Sequence, residues 1–140
     1  MKYLLDTCVL SELVKAAPEP AVLDWVAVCE EQNLFVAALS LAELHRGVAR
    51  LPRSKRRTAL TDWLMRVETG FEGRVLSFSQ TTAHAWAEIT ARAEARGKPM
   101  AAFDSLIAAV ALEHSLALVT RNVRDFAATD LKLVNPWQSH

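Results

Sequence analysis

The chain has 140 residues, 51% hydrophobic and 23% charged, which excludes a disordered or fibrous protein and predicts one domain, residues 1–140, with a real core. Sixteen basic and 16 acidic side chains leave a formal net charge of +0, so a nucleic-acid argument has to rest on local clusters. Cys8 and Cys29 form no CxxC, Asp6 and Glu12 interrupt any signal-peptide core, and no apolar stretch is long enough to span a membrane; the expectation is a soluble cytoplasmic protein with reduced thiols.

The run KYLL (2–5) predicts a buried strand that stops at Asp6. Val9, Leu10, Leu13 and Val14 then recur at helical spacing over 9–15, and Pro18 and Pro20 break the pattern. A second helix is predicted over 21–31 through Val22, Val26 and Cys29. NLFVAAL (33–39) predicts another buried strand, with Ser40 placed to cap a helix over 41–51. After Pro52, Leu60, Trp63, Leu64 and Val67 mark a helix over 54–71, and RVLSF (74–78) a third strand. The Ala-rich segment 81–97 predicts a helix stopped by Gly97 and Pro99. Residues 101–115 are apolar nearly all round, which predicts a buried helix. LALVT (116–120) and LKLVN (131–135) complete the strands. Apolar strands alternating with helices predict an α/β fold with a mostly parallel sheet.

In open α/β sheets, ligands bind beyond the carboxyl ends of the strands. Asp6 follows the first strand, Glu43 lies early in the helix after the second, and Thr120, Arg121, Asn122 and Asp125 follow the fourth. Asp104 needs one geometric step. Its helix and the next strand are joined tightly, so they run antiparallel. The helix rises roughly 15 Å from Asp104 to His114, about the length of a five-residue strand. Asp104 therefore falls level with the exit of the fourth strand, and four acids converge at one sheet edge. Such a cluster repels itself unless a cation binds or some members stay protonated. Hard oxygen ligands suit Mg²⁺ or Mn²⁺, which can activate water and offset charge on a phosphate. That combination predicts a nuclease.

The segments LLDTCVLSEL, LSLAELHRGV, AAFDSLIAAVA and LVTRNVRDF, with the closing NPW (135–137), resemble in order and spacing the blocks of PIN-domain ribonucleases. They are most similar to the toxins of bacterial VapBC-type toxin–antitoxin pairs, FitB-like members included. The resemblance covers essentially the whole chain. It implies a PIN-like three-layer sandwich with a parallel, roughly five-stranded sheet. It implies Mg²⁺- or Mn²⁺-dependent endonucleolytic cleavage of RNA by an activated water, with Asp6, Glu43 and Asp104 as metal-site acids. It also implies a homodimer held inactive by a small VapB-like antitoxin, as a heterotetramer or larger assembly. Two positions depart from the family pattern. Cys8 stands where Asn is common, and Asn122 stands where a fourth acid is often found, leaving Asp125 as the nearest carboxylate.

Plainer roles stand beside these. Asp6 or Asp104 alone would serve as a helix cap, and Asp125 reads equally as a turn residue or as the fourth catalytic acid. Among the short hydroxyls Thr7, Ser11, Ser40 and Thr120, Thr7 and Thr120 are expected to support the acids, and Asn122 to orient a water or ligand. The run holding Arg46, Arg50, Arg53, Lys55, Arg56 and Arg57 reads either as a solvated helix junction or as a track for RNA phosphates. Trp25, Trp63 and Trp86 are assigned to core or interface. His45, His84, His114 and His140 have no ligand spacing. The alternative function is a non-catalytic PIN module that binds RNA or a protein partner. Aspartyl phosphatase chemistry would want an acid at the position of Cys8.

Overall fold

The strand the chain lays down first becomes the middle of the sheet. In the computed structural model, which describes residues 1–138, β1 (Tyr3–Leu5) pairs on one side with β2 (Leu34–Ala37) and on the other with β4 (Ala117–Val119). β3 (Val75–Leu76) and β5 (Leu133–Val134) form the edges, giving the order β3-β2-β1-β4-β5 with every pairing parallel. His140 lies outside the described residues.

The central strands are apolar on both faces because both faces are covered. Leu4, Ala37 and Leu118 face one core, which α5 (Gln80–Ala95) and α6 (Ala102–Glu113) supply with Ile89, Ile107, Ala108 and Val110. Leu5, Val36 and Val119 face the other, against Val9 and Leu10 of α1 (Thr7–Leu13) and Val22 of α2 (Pro20–Val28). Trp63 of α4 (Lys55–Gly70) packs against that second core. The result is helices, sheet, helices, in agreement with the expected sandwich. Ala-rich α6 is buried along Ile107–Ala111, as its all-round apolar sequence predicts.

Several boundaries differ from expectation. α3 is Ala38–Ala49, so the strand passes into helix without a polar signal, and Ala37 takes the capping position with no side-chain bond. Ser40 is therefore not the cap. It lies inside the first turn, fully buried, and its hydroxyl has no partner among the described residues. The cap of α5 is Ser79, two residues before the predicted start. Its Oγ accepts the Thr82 N–H at 3.3 Å and Thr82 Oγ1 accepts the Ser79 N–H at 2.9 Å. α2 ends at Val28, and a 3-10 turn (Glu31–Asn33) leads into β2. A second 3-10 segment (Val123–Thr129), not foreseen, is anchored by buried Phe126 between β4 and β5.

Candidate metal-dependent active site

Parallel pairing puts the exits of β1 and β4 side by side. Leu5 stands opposite Val119, and the ladder continues one step, with the Asp6 N–H donating to the Val119 carbonyl at 2.9 Å. The next residues in register, Asp6 and Thr120, are both buried. Their side chains meet, and the Thr120 hydroxyl donates to Asp6 Oδ2 at 2.8 Å. The other oxygen, Oδ1, accepts the Thr7 N–H at 2.8 Å, so Asp6 is also the cap of α1. The plain capping role and the site role coexist on the two oxygens of one carboxylate.

Thr7 links the next acid. Its hydroxyl donates to Glu43 Oε1 at 2.6 Å, joining α1 to α3. Glu43 itself is exposed, so its carboxylate stands at the lip of the site. Asp104 lies half-buried in the first turn of α6. Burial, and then the charges of Asp6, Asp125 and Glu43 in that order, push its carboxyl above the usual range. The three other predicted acids thus all act on Asp104 electrostatically. Asp125 is exposed, in the first turn of the 3-10 segment.

The two departures from the family pattern have local consequences. Cys8 lies with its sulfur 3.8 Å from Asp6 Oδ2 and 3.7 Å from Thr120 Oγ1. Burial pushes its thiol up, so it remains a weak S–H donor to Asp6 rather than a thiolate. Asn122 uses its backbone: its N–H donates to Thr120 Oγ1 at 3.0 Å and its carbonyl accepts the Asp125 N–H at 3.0 Å. Its side chain makes no capping bond.

Among the described residues, no three His, Cys, Asp or Glu side chains gather tightly enough to enclose a metal ion. The donor set is instead open: one buried carboxylate with both oxygens already hydrogen-bonded, one at the lip, one half-buried. Carboxylates alone are hard donors, and an open set fits Mg²⁺ or Mn²⁺, since Mg²⁺ keeps several waters and takes one or two carboxylates.

Beside Glu43 runs a groove of about 940 Å³ between α1, α3 and α4, lined by Leu44, Val48, Leu51, Leu60 and Trp63. Of the six predicted basic residues, only Arg56 shares this cavity with an acid. Arg53, Lys55 and Arg57 cluster around Ser54 and Asp62 at the start of α4, in small cavities that contain none of the four site acids. Arg46 and Arg50 close α3. Ser11 lines the groove without bonding to the acids.

Three comparisons place the chain among known proteins. Residues 3–132 match the PIN domain family. A VapC ribonuclease of Sinorhizobium fredii, Y4jK, is 38% identical over 136 residues, covering 96% of this chain and 97% of its own. Toxin FitB of Neisseria gonorrhoeae is 37% identical over 135 residues, with 96% and 97% covered. The structure of FitAB bound to an IR36 DNA fragment superposes with a TM-score of 0.94 at 34% identity, covering 99% of this chain and 97% of that one. With its parallel sheet, its acids at the strand exits and these full-length likenesses, the chain belongs to the PIN domain family.

Proposed function

We propose that this single-domain protein is a metal-dependent endoribonuclease, the toxin of a type II toxin–antitoxin pair. The observation that carries the reading is the bonded array at the exits of β1 and β4, where Thr120 and Thr7 hold Asp6 and Thr7 also holds Glu43, beside Asp104, whose carboxyl is raised by burial and then by the neighbouring acids. The names of its relatives, VapC ribonuclease and FitB toxin, support the same reading.

Asp6, Glu43 and Asp104 would hold Mg²⁺ or Mn²⁺, with Asp125 as the fourth catalytic acid and Thr7, Thr120 and Asn122 as supports. A divalent ion bound there would make water a better nucleophile and offset negative charge building on the scissile phosphate. The chain's own part is to hold the carboxylates still. Asp6 sits on the last rung of a parallel ladder, with each oxygen fixed by a donor from a different strand or helix. Arg56 and its neighbours in the basic run offer positive charge to the RNA backbone.

The apolar groove between α1, α3 and α4 is suited to an amphipathic segment of a VapB-like antitoxin, which would cover Glu43 and Thr7 at its end. FitAB and a DNA-bound VapBC of Salmonella typhimurium are among the related structures. A homodimer, combined with antitoxin into a heterotetramer or larger, completes the proposed assembly. Among the described residues, no helix is long and apolar enough to cross a membrane, in keeping with action in the cytoplasm. The second reading, a binding module that does not cut, is favoured by Asn122 in place of the fourth acid and by Cys8 in place of the common Asn.

The deciding experiment is incubation of total RNA with antitoxin-free protein, in Mg²⁺ or Mn²⁺ and in EDTA, beside Asp6→Asn. Cleavage that requires metal and falls by at least about 100-fold in the variant is expected. Folded protein that binds RNA but never cuts it would support the binding module instead.

A further inference from the structure

A second cavity, about 320 Å³, opens beside Asp104 and Asp125. It shares no lining residue with the apolar groove. The groove takes Glu43, this pocket takes Asp104 and Asp125, and Asp6 acts on both groups through Thr7 and through its charge. Two cations line the pocket beside its acids, Lys98 and Arg124.

Their neighbours in sequence are already engaged. Arg92 and Arg96 grip Asp130, and Arg121 lies over the Trp137 ring at 5.5 Å. Lys98 and Arg124, both exposed, make no ion pair and no side-chain hydrogen bond among the described residues, although two carboxylates line the same cavity. Their backbones are fixed. α5 ends in a left-handed Gly97 (φ +71°), with the Gly97 N–H on the Glu94 carbonyl at 2.9 Å and the Lys98 N–H on the Ala93 carbonyl at 2.9 Å. Arg124 lies in the first turn of the 3-10 segment, between Asn122, tied to Thr120, and buried Phe126. Two unengaged cations are thus held on rigid backbone at the edge of an acidic site. A polyanion entering such a site meets repulsion unless local cations offset it.

We infer that Lys98 and Arg124 together bind a backbone phosphate of the RNA on the Asp104–Asp125 side of the reacting bond. This rests on the nuclease reading above and adds the track by which the strand leaves the acids. Arg56 of the basic run lines the groove that holds Glu43. Lys98 and Arg124 line a separate pocket with Asp104 and Asp125, so the strand would run past the acids with a cation in each cavity.

The test uses a fluorescently labelled single-stranded RNA that the unmodified protein cuts. Binding is followed by anisotropy in EDTA at stepped KCl, and cleavage in Mn²⁺. Lys98→Gln and Arg124→Gln are each expected to bind about five-fold more weakly, and to lower the salt slope by about 0.7 for the cation removed. In cleavage they raise KM with kcat nearly unchanged. Lys98→Arg keeps the slope, and Lys132→Gln, at the opposite end of the strands, changes nothing. Unchanged affinity and slope in the Lys98→Gln, Arg124→Gln double variant, with the unmodified protein still cutting, would overturn the phosphate site alone. An unmodified protein that neither binds nor cuts any RNA overturns the nuclease reading and this inference with it.

Discussion

Asp6 Oδ1 takes a backbone N–H while Oδ2 takes a hydroxyl and a thiol, so the carboxylate cannot rotate without breaking a bond on each side. Thr120 is the hinge of that arrangement, because the same Oγ1 accepts the Asn122 N–H while donating to Asp6. Thr120→Val keeps the shape, removes both bonds and leaves the Asn122 N–H without its acceptor. Metal-dependent cleavage should fall by about 10- to 100-fold, with Thr120→Ser restoring most of it and circular dichroism unchanged. A full loss in the Ser variant as well would locate the effect in packing of the γ-methyl. At this scale the sequence is informative where chemistry forces a choice. An acid at a strand exit and a hydroxyl beside it are legible. Ser40 is not, since a Ser before an apolar helical stretch looks the same whether it caps the helix or lies one turn inside it. Lys98 and Arg124 do not announce themselves either. One follows a helix-stopping Gly and the other sits in a loop-like stretch, and only the folded chain brings them to the acids.

Among the elements, the 3-10 segment Val123–Thr129 holds two residues with proposed roles, Arg124 and Asp125. It has little amphipathic pattern to announce it, so the sequence predicts no element between the strands at 116–120 and 131–135. Its hold on the protein is Phe126, 1% exposed and packed into the core shared by α5 and α6, with the Thr129 hydroxyl back-bonded to the Phe126 carbonyl at 2.6 Å. Phe126→Ala should cost about 3–5 kcal/mol in urea unfolding. The milder Phe126→Leu should retain the fold while loosening Asp125 and Arg124, and so weaken cleavage more than stability. The junction of β2 with α3 is the other blind spot. β2 enters α3 with no intervening residue, so apolar strand and apolar helix share one continuous run, whereas Asp6 and Thr7 mark the passage from β1 to α1.

Across the whole molecule, net neutrality hides an uneven distribution. Glu12 accepts from the Lys15 ammonium, the Glu19 N–H and the Trp137 indole, and these hold its carboxyl below the usual range. Asp130 is held down likewise by Arg96 and Arg92. Asp104 is pushed the opposite way. The signs are opposite too. Glu12 stabilises the fold above its unfolded pKa of 4.5, and that contribution fades as pH falls through its lower folded value. The Asp104 charge opposes folding above its raised folded value, and the penalty fades as pH falls toward 3.8. In thermal unfolding at neutral pH, Glu12→Gln should lower Tm by a few degrees and Asp104→Asn should raise it slightly. Both differences should vanish in acid. A gain in Asp104→Asn that persists at low pH would point to a cause other than charge. The sandwich itself is the most legible feature, because alternating buried strands and helices allow few other arrangements.

The bond from Thr120 to Asp6 joins residues 114 positions apart. The hold on Asp6 Oδ2 waits for the fourth strand to arrive beside the first, so the carboxylate is fixed on both oxygens only in a late step of chain synthesis. A polypeptide released before residue 117 lacks β4 and therefore lacks the wall against which Asp6 is held. For a protein proposed to destroy RNA, that topology would be a delay: the growing chain would lack the Thr120 anchor of Asp6 until β4 has been made.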